Sequence, residues 1–354
     1  MSGLSLVELL AIFAAAAGAV WVAGIQLSDA TDVLSRRLGF GEALGGVILL
    51  AVATNLPEIA IVVSAALSGS YELAIGNILG GIAIQTVVLV VLDVVGVRGR
   101  HPLTYRAASL TLVIEGALVI GVLVVAIMAS RLPSHDVFVH LSPGSSLILV
   151  LWIGGVYLVG RSSNLPWQSR GVAPDGQPEP KGHAEDKKEK AASSKGHSTS
   201  RVAAVFAVAA LITLAAGVVL EQSGDAIATN VGLSGVLFGA TVLAAATALP
   251  EVSSGLASVK LGDYQLAVSD IFGGNAFLPV LFFVATAISG TSVLPKAQDA
   301  DIYMAGLGIL LTTVYIFGLI FRPQRRILRM GPDSLTALIL YALGIIGLVV
   351  VAGQ

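Results

Sequence analysis

Residues 53–58 read ATNLPE, and residues 246–251 read ATALPE. The offset of 193 residues between them holds without a gap over a wide window. It pairs Asp32 with Asp225, Gly39 with Gly232, Gly46 with Gly239, Gly69 with Gly262 and Tyr71 with Tyr264. It continues through Leu73 and Leu266, Ala74 and Ala267, Asn77 and Asp270, and Gly80-Gly81 with Gly273-Gly274. One proline-glutamate match would be chance, whereas a register shared over this length marks a duplication.

Both motifs lie inside long apolar runs, which sets the fold class. Of the 354 residues, 55% are hydrophobic and only 12% charged, about half the charged share of a soluble domain. The 40 glycines fall within those runs without a three-residue period, as close helix packing in lipid requires. A spanning helix takes about 20 mostly apolar residues. Ten stretches qualify, at 6–27, 42–67, 72–95, 104–130, 146–160, 202–221, 235–259, 264–288, 301–321 and 334–352. The first lacks a basic leader and is followed by nine more, so it reads as a mature helix and not a cleaved signal. The expectation is an all-α polytopic membrane protein with ten transmembrane helices.

The connections orient it. Residues 161–200 hold Arg161, Arg170, Lys181, Lys187, Lys188, Lys190 and Lys195 among Gly, Pro and Ser, a composition that forms no core and reads as a flexible linker. With that linker in the cytoplasm, Arg36-Arg37, Arg98 and Arg100, and Arg322, Arg325, Arg326 and Arg329 fall on the same side. The opposite side keeps little beyond Arg131 and Lys296. This follows the positive-inside rule and places both termini outside the plasma (cytoplasmic, cell inner) membrane. Five spans on each side of the linker give the copies opposite orientations. The expected domains are a first five-helix repeat over 1–160, the linker over 161–200 and a second inverted five-helix repeat over 201–354. Inverted repeats of this kind belong to secondary transporters, with the substrate near midplane where they meet.

Glu58 and Glu251 then sit deep in apolar helices, each preceded by a proline that disrupts the backbone ladder around Thr54 and Thr247. Threonine and glutamate at i and i+4 share a face, so each half offers a compact set of oxygen ligands. Oxygen-only coordination suits Na+, Ca2+ and other hard cations. No cysteine is present and the five histidines are scattered, which excludes thiolate sites and disfavours a soft-metal centre. Two buried carboxylates at equivalent places cost too much to bury without counter-ions. The following helices add Asn77, Gly81 and Gln85 on one face and Asp270, Gly274 and Leu278 on the other. The candidate metal-ligating residues are therefore Glu58, Glu251, Asp270, Thr54, Thr247, Asn77, Gln85 and Asn55, with Asn275 beside the face. Asp93 and Glu115 have no acidic counterpart and are weighed as proton-coupling groups against interfacial or pairing roles. Asp32 and Asp225 read as solvated or capping residues at helix ends.

These features resemble the calcium/cation antiporter superfamily of sodium/calcium and related exchangers. The two alpha-repeat motifs are ATNLPEIAIVVSAALSGSYELAIGNILGGIAIQ and ATALPEVSSGLASVKLGDYQLAVSDIFGGNAFL. The resemblance implies Glu58 and Glu251 as central cation ligands, oxygen from Thr54 and Thr247, and exchange by alternating access. Its usual G-S-N-x-x-N run is altered here. Gly81 and Gly274 replace serine, Leu278 replaces a polar or acidic ligand, and Asn55 and Ala248 stand where serine is common. Asp270, one turn before Gly274, is expected to replace part of the lost ligation, moving the site about 5 Å along the helix.

The function expected is secondary active antiport of Ca2+ or another hard cation against Na+ or H+, with no cofactor and no enzymatic activity. A degenerate exchanger homologue with altered selectivity or no transport, and a cation channel, are the alternatives. A membrane enzyme is disfavoured because no histidine or serine-histidine pair joins the acids. The partners expected are inorganic cations and the lipid bilayer, with no nucleic acid, in a monomer or weak homodimer.

Overall fold

A computed structural model describes residues 4–37, 45–133, 141–162 and 198–352. Most of the 161–200 linker lies outside the described residues. The described chain is helical, and nine of its helices are long and apolar enough to cross a membrane, with Leu56–Ser68 as a shorter apolar helix. The helical elements, several of which join end to end within one span, are in chain order α1 (Leu6–Arg37), α2 (Gly45–Thr54), α3 (Leu56–Ser68), α4 (Tyr71–Val91), α5 (Leu103–Ala107), α6 (Leu110–Ala129) and α7 (Pro143–Ser162). After the linker come α8 (Thr199–Val231), α9 (Gly235–Phe238), α10 (Ala244–Thr247), α11 (Leu249–Lys260), α12 (Tyr264–Phe277), α13 (Leu281–Ser289), α14 (Asp299–Phe321) and α15 (Pro332–Ala352).

Several runs that read as single spans are broken, and proline accounts for three breaks by removing a donor and clashing with the preceding turn. The 42–67 stretch divides at Asn55, just before Pro57, and the 235–259 stretch divides at Ala248, just before Pro250. The 264–288 stretch passes through a 3₁₀ turn, Leu278–Val280, that contains Pro279. The 104–130 stretch starts its long helix only at Leu110, because Ala108 and Ser109 leave helical geometry and the Ser109 side chain accepts from the Thr111 N–H as a new N-cap. The outermost helices run about ten residues beyond their apolar cores, α1 to Arg37 and α8 to Val231. Asp32 and Asp225 therefore lie within helices and not at their ends, although Asp225 is exposed as expected.

The 193-residue register reappears in where helices begin. α1 and α8 start at 6 and 199, α3 and α11 at 56 and 249, and α4 and α12 at 71 and 264. α1 and α8 lie along one another. Their apolar outer faces, with Val7, Leu10, Val22, Val208 and Leu211 exposed, suit contact with lipid. α4 and α12 are the enclosed elements, with 72% of each apolar window buried against 22% for α1, α7 and α8.

Enclosure depends on glycine at the crossings. α4 packs on α9, α10 and the π-helical turn Gly239–Leu243 between them, while α2 packs on α12. Each broken half-helix thus rests on the glycine-bearing helix of the other copy. A Cβ on Gly76 would run into the backbone of Val236, and one on Gly239 into the Leu73 carbonyl and the Asn77 N–H. Small residues at such crossings let backbones approach where lipid supplies no hydrophobic drive.

Asp93 closes one end of the bundle. Buried at the π-helical end of α4 (Leu92–Gly96), it accepts from the Leu103 N–H (2.9 Å), the Gly331 N–H (2.6 Å) and Ser334 Oγ (2.9 Å), and pairs with Arg326 at 3.8 Å. The same guanidinium donates to the carbonyls of Asp93, Val97 and Gly99. Hydrogen bonds to charged groups contribute about 1.5–3 kcal/mol each. Asp93 accordingly ties the α4–α5 connection to the α14–α15 connection, the pairing role, and is not left over for proton transfer.

Candidate cation site

Each broken helix restarts with a proline and a glutamate in its first turn: Pro57 and Glu58 in α3, Pro250 and Glu251 in α11. Asn55 (φ −88°, ψ 15°) and Ala248 (φ −77°, ψ 0°) form the hinges. Helix N-termini carry partial positive charge, which favours carboxylates there. The hinge carbonyls are satisfied, Asn55 O by the Ile59 N–H at 3.0 Å and Ala248 O by the Val252 N–H at 3.2 Å. The threonine hydroxyls turn back onto their own helices. Thr54 Oγ1 donates to the carbonyls of Leu50 and Ala51, and Thr247 Oγ1 to that of Ala244 and to Asn77 Oδ1 across the two copies. The Thr247 hydroxyl also lies within hydrogen-bond reach of the Glu58 carboxylate of the other copy, which places its oxygen at the centre.

The two copies converge at Gln85. Its Nε2 donates to Glu58 Oε1 (3.3 Å), Glu251 Oε1 (3.4 Å) and Asn55 Oδ1 (3.5 Å). An amide nitrogen has two hydrogens for these three acceptors, so oxygen is in excess at the centre. Glu58 Oε2, Glu251 Oε2 and Gln85 Oε1 are buried and make no hydrogen bond among the described residues. Asn55, Glu58, Asn77, Gln85, Thr247 and Glu251 are all 0% exposed. The charges that act on Glu251 are those of Glu58 and Asp270, both negative. A fully buried centre lined by oxygens, with like charges and, among the described residues, no basic side chain acting on it, is chemically matched to a dehydrated hard cation.

The remaining candidates are placed around that centre. Asp270 Oδ2 accepts from Ser254 Oγ at 2.5 Å, and Ser254 stands one turn beyond Glu251 on α11. Among the described residues no group of three or more His, Cys, Asp or Glu side chains converges on one point. The Asp270 charge nevertheless acts on Glu251, so Asp270 stands beside the glutamate pair. Asn275 Nδ2 donates to Thr86 Oγ1 (3.1 Å) and to the carbonyl of Ile82 (3.4 Å), its own partner in the 193-residue register. Leu278 lies past the end of α12. Its Cδ1 would be 3.7 Å from a Cβ on Gly81. A Cβ on Gly274 would lie 2.9 Å from Asn55 Nδ2 and 3.6 Å from Gln85 Oε1. The space beside each glycine, where the resemblance expects a serine hydroxyl, is thus bordered by Leu278 and by the carboxamides of Asn55 and Gln85.

Ser254 and Thr86 were not singled out from sequence. A signal for Ser254 exists: Glu251, Ser254 and Ser258 recur at i, i+3 and i+7 on a buried face of α11, where α3 has Glu58, Ile61 and Ala65.

Comparison with known proteins agrees with this architecture. The family described as "Sodium/calcium exchanger protein" matches residues 8–160 and 201–351, leaving out the linker. The chain is 24% identical over 298 residues to "Inner membrane protein YrbG" of Escherichia coli (strain K12), covering 83% of each. It is 25% identical over 286 residues to "Putative antiporter CaxA" of Alkalimonas amylolytica, covering 79% of each. Its fold matches the crystal structure of the H+/Ca2+ exchanger CAX with a TM-score of 0.68 at 14% identity, over 96% of this chain and 82% of that one. It matches the sodium-calcium exchanger NCX_Mj with a TM-score of 0.59 at 15% identity, over 97% and 99%. The match to native YfkE has a TM-score of 0.61 at 15% identity, over 95% and 91%. With both halves covered, the chain belongs to the sodium/calcium exchanger protein family.

Proposed function

We propose that this secondary active cation antiporter exchanges Ca2+, or another hard cation, for Na+ or H+ by alternating access. The observation that carries the reading is the meeting of Glu58 and Glu251, 193 residues apart, on the single nitrogen of Gln85. In the reading, cargo binds between these carboxylates with help from Asn55, Gln85, Asn77, Thr54 and Thr247. Each copy contributes one half of the site, so tilting one copy against the other opens it to one face at a time. The printed descriptions of the structural relatives, an H+/Ca2+ exchanger and a sodium-calcium exchanger, are consistent with either counter-ion.

The same reading makes the chain ten spans in two inverted five-helix repeats, 1–160 and 201–354, joined by a cytoplasmic linker at 161–200 with both termini outside. The equal helix-start offsets and the Asn275–Ile82 contact support it. Because the chain has no cysteine, single introduced cysteines report sidedness directly. S194C in right-side-out vesicles is expected to resist an impermeant maleimide and T291C to react; the reverse pattern rejects the orientation.

Asp270 is assigned as an auxiliary ligand that takes over ligation lost at Leu278. Uptake of 45Ca2+ into proteoliposomes loaded with Na+, K+ or an acidic interior tests the function and this assignment together. Wild-type uptake is expected to saturate and to require one of Na+ or H+ inside. D270N is expected to raise the half-saturating Ca2+ concentration roughly tenfold, about 1.4 kcal/mol. Uptake indifferent to every internal ion rejects exchange, and an unchanged D270N saturation curve and ion preference rejects the role of Asp270.

A further inference from the structure

Glu115 is a buried carboxylate that the central site does not use. Of the other buried acids, Asp93 holds three donors and Arg326, Asp301 closes a capping box with Gln298 at the start of α14, Asp333 stands in the first turn of α15, and Glu221 on the outer helix α8 accepts from Ser64 Oγ at 3.0 Å. Glu115 lies mid-helix on the enclosed side of α6, with neither an ion pair nor a capping role among the described residues. It is 6% exposed on α6, its Oε1 accepts one neutral hydrogen bond from Ser269 Oγ at 2.9 Å, and its Oε2 is buried with no hydrogen-bond partner among the described residues.

Packing around it is tight. A Cβ on the adjacent Gly116 would lie 2.8 Å from Ile316 and 3.2 Å from Phe272, so α6 is pressed against α12 and α14 where the carboxyl enters. Ionisable groups on the elements packed against α6 are committed elsewhere. Asp270 takes Ser254, Arg161 lies over the Tyr157 ring, Lys296 over the Tyr71 ring, Asp299 pairs with Arg131, and Tyr315 donates to Ser334. Tyr303 points its hydroxyl at Gly347 on α15.

The fold does not demand such a pair. In the register of the repeats, Ser269 corresponds to Gly76. The equivalent long helix α14 carries acids only in its first turn, Asp299 and Asp301. The same scaffold is therefore built in the other copy without a carboxyl–hydroxyl pair at that place. An acid retained in a membrane interior without a structural task is expected to serve ion or proton movement.

We propose that Glu115 is a proton site of the exchange cycle, which rests on the antiport reading and selects H+ as its counter-ion. A proton from water at one face forms the O–H bond on Glu115 Oε2, and that bond breaks to water at the opposite face after the carrier turns over. The Ser269 hydroxyl holds Oε1 and links the acid to the turn of α12 that bears Asp270. Proton and cargo thereby occupy separate positions coupled through one helix.

The test is 45Ca2+ uptake by E115Q proteoliposomes with an acidic interior, beside vesicles loaded with Na+ and vesicles loaded with unlabelled Ca2+. Glutamine keeps the acceptor for Ser269 but cannot carry the proton. Acid-driven uptake is expected to fall at least about fivefold, the lower end of coupling between two sites. Ca2+/Ca2+ exchange, which needs no proton, is expected to stay within about twofold, since coupling and not cargo binding is removed. Acid-driven uptake equal to wild type overturns the proposal, as does loss of Ca2+/Ca2+ exchange in both E115Q and E115D, which marks a structural role. Wild-type uptake driven by internal Na+ and not by acid overturns it while leaving antiport intact. Wild-type uptake independent of any internal ion overturns both.

Discussion

Glu58→Gln and Glu251→Gln are each expected to abolish counter-ion-dependent 45Ca2+ uptake at micromolar Ca2+ while leaving the protein folded. Glutamine is nearly isosteric with glutamate, so the α3 and α11 first turns and the contact with Gln85 Nε2 can persist through the remaining oxygen. What disappears is one of two negative charges in a fully buried, oxygen-lined centre. Each carboxylate forms a buried ion pair with the bound cation, and removing one partner of such an opposite-charge pair costs about 3–5 kcal/mol; 3 kcal/mol corresponds to roughly a 100-fold loss of cation affinity. The double variant is expected to be little worse than either single one, because the two carboxylates act on one ion and their contributions are not additive. Isothermal titration of purified protein with Ca2+, run beside the flux assay, separates loss of binding from loss of turnover. Retained binding and flux in both single variants would reject the site.

Gly80→Val is expected to have the second large effect, on the fold itself. A Cβ at Gly80 would overlap Ala240, striking its Cα and carbonyl oxygen as well as its side chain. Backbone cannot swing aside as a flexible side chain does, so α4 must separate from the π-helical turn Gly239–Leu243 on which it packs. Overpacking a core costs about 1–3 kcal/mol and sometimes more, and valine at a backbone crossing belongs at the upper end. In detergent, G80V is expected to melt well below wild type or to elute as aggregate, with G80A intermediate. Adding A240G to G80A is expected to restore only part of the loss, since the Ala240 backbone remains in the way. G18A serves as the control: nothing lies within 4 Å of a Cβ there, and alanine on an exposed helix face gains up to about 1 kcal/mol of helix propensity. A G80V melting curve superimposable on wild type would show that the crossing is looser than described.

Glu58, Glu251 and the duplication were legible in the chain itself, because they rest on properties local to a helix. Apolar length marks a span, proline before glutamate marks a broken turn, and a constant 193-residue offset needs no knowledge of packing. Asn77, Gln85 and Asp270 were legible as occupants of particular helix faces, which helical periodicity supplies. Which faces meet was not legible. That Gln85 of α4 reaches Glu251 of α11, that Asn55 borders the space beside Gly274 of the opposite copy, and that Asp270 meets Ser254 depend on interhelical crossings. Those crossings are permitted by glycines whose own sequence signal is only the absence of a side chain. Glu115 makes the same point in reverse. The sequence marks it as an isolated acid in an apolar helix, equally fit for a lipid edge or an interhelical pair. Only the close approach of α6 to α12 decided that it faces Ser269, because periodicity assigns a residue to a face and tertiary packing alone assigns that face a neighbour.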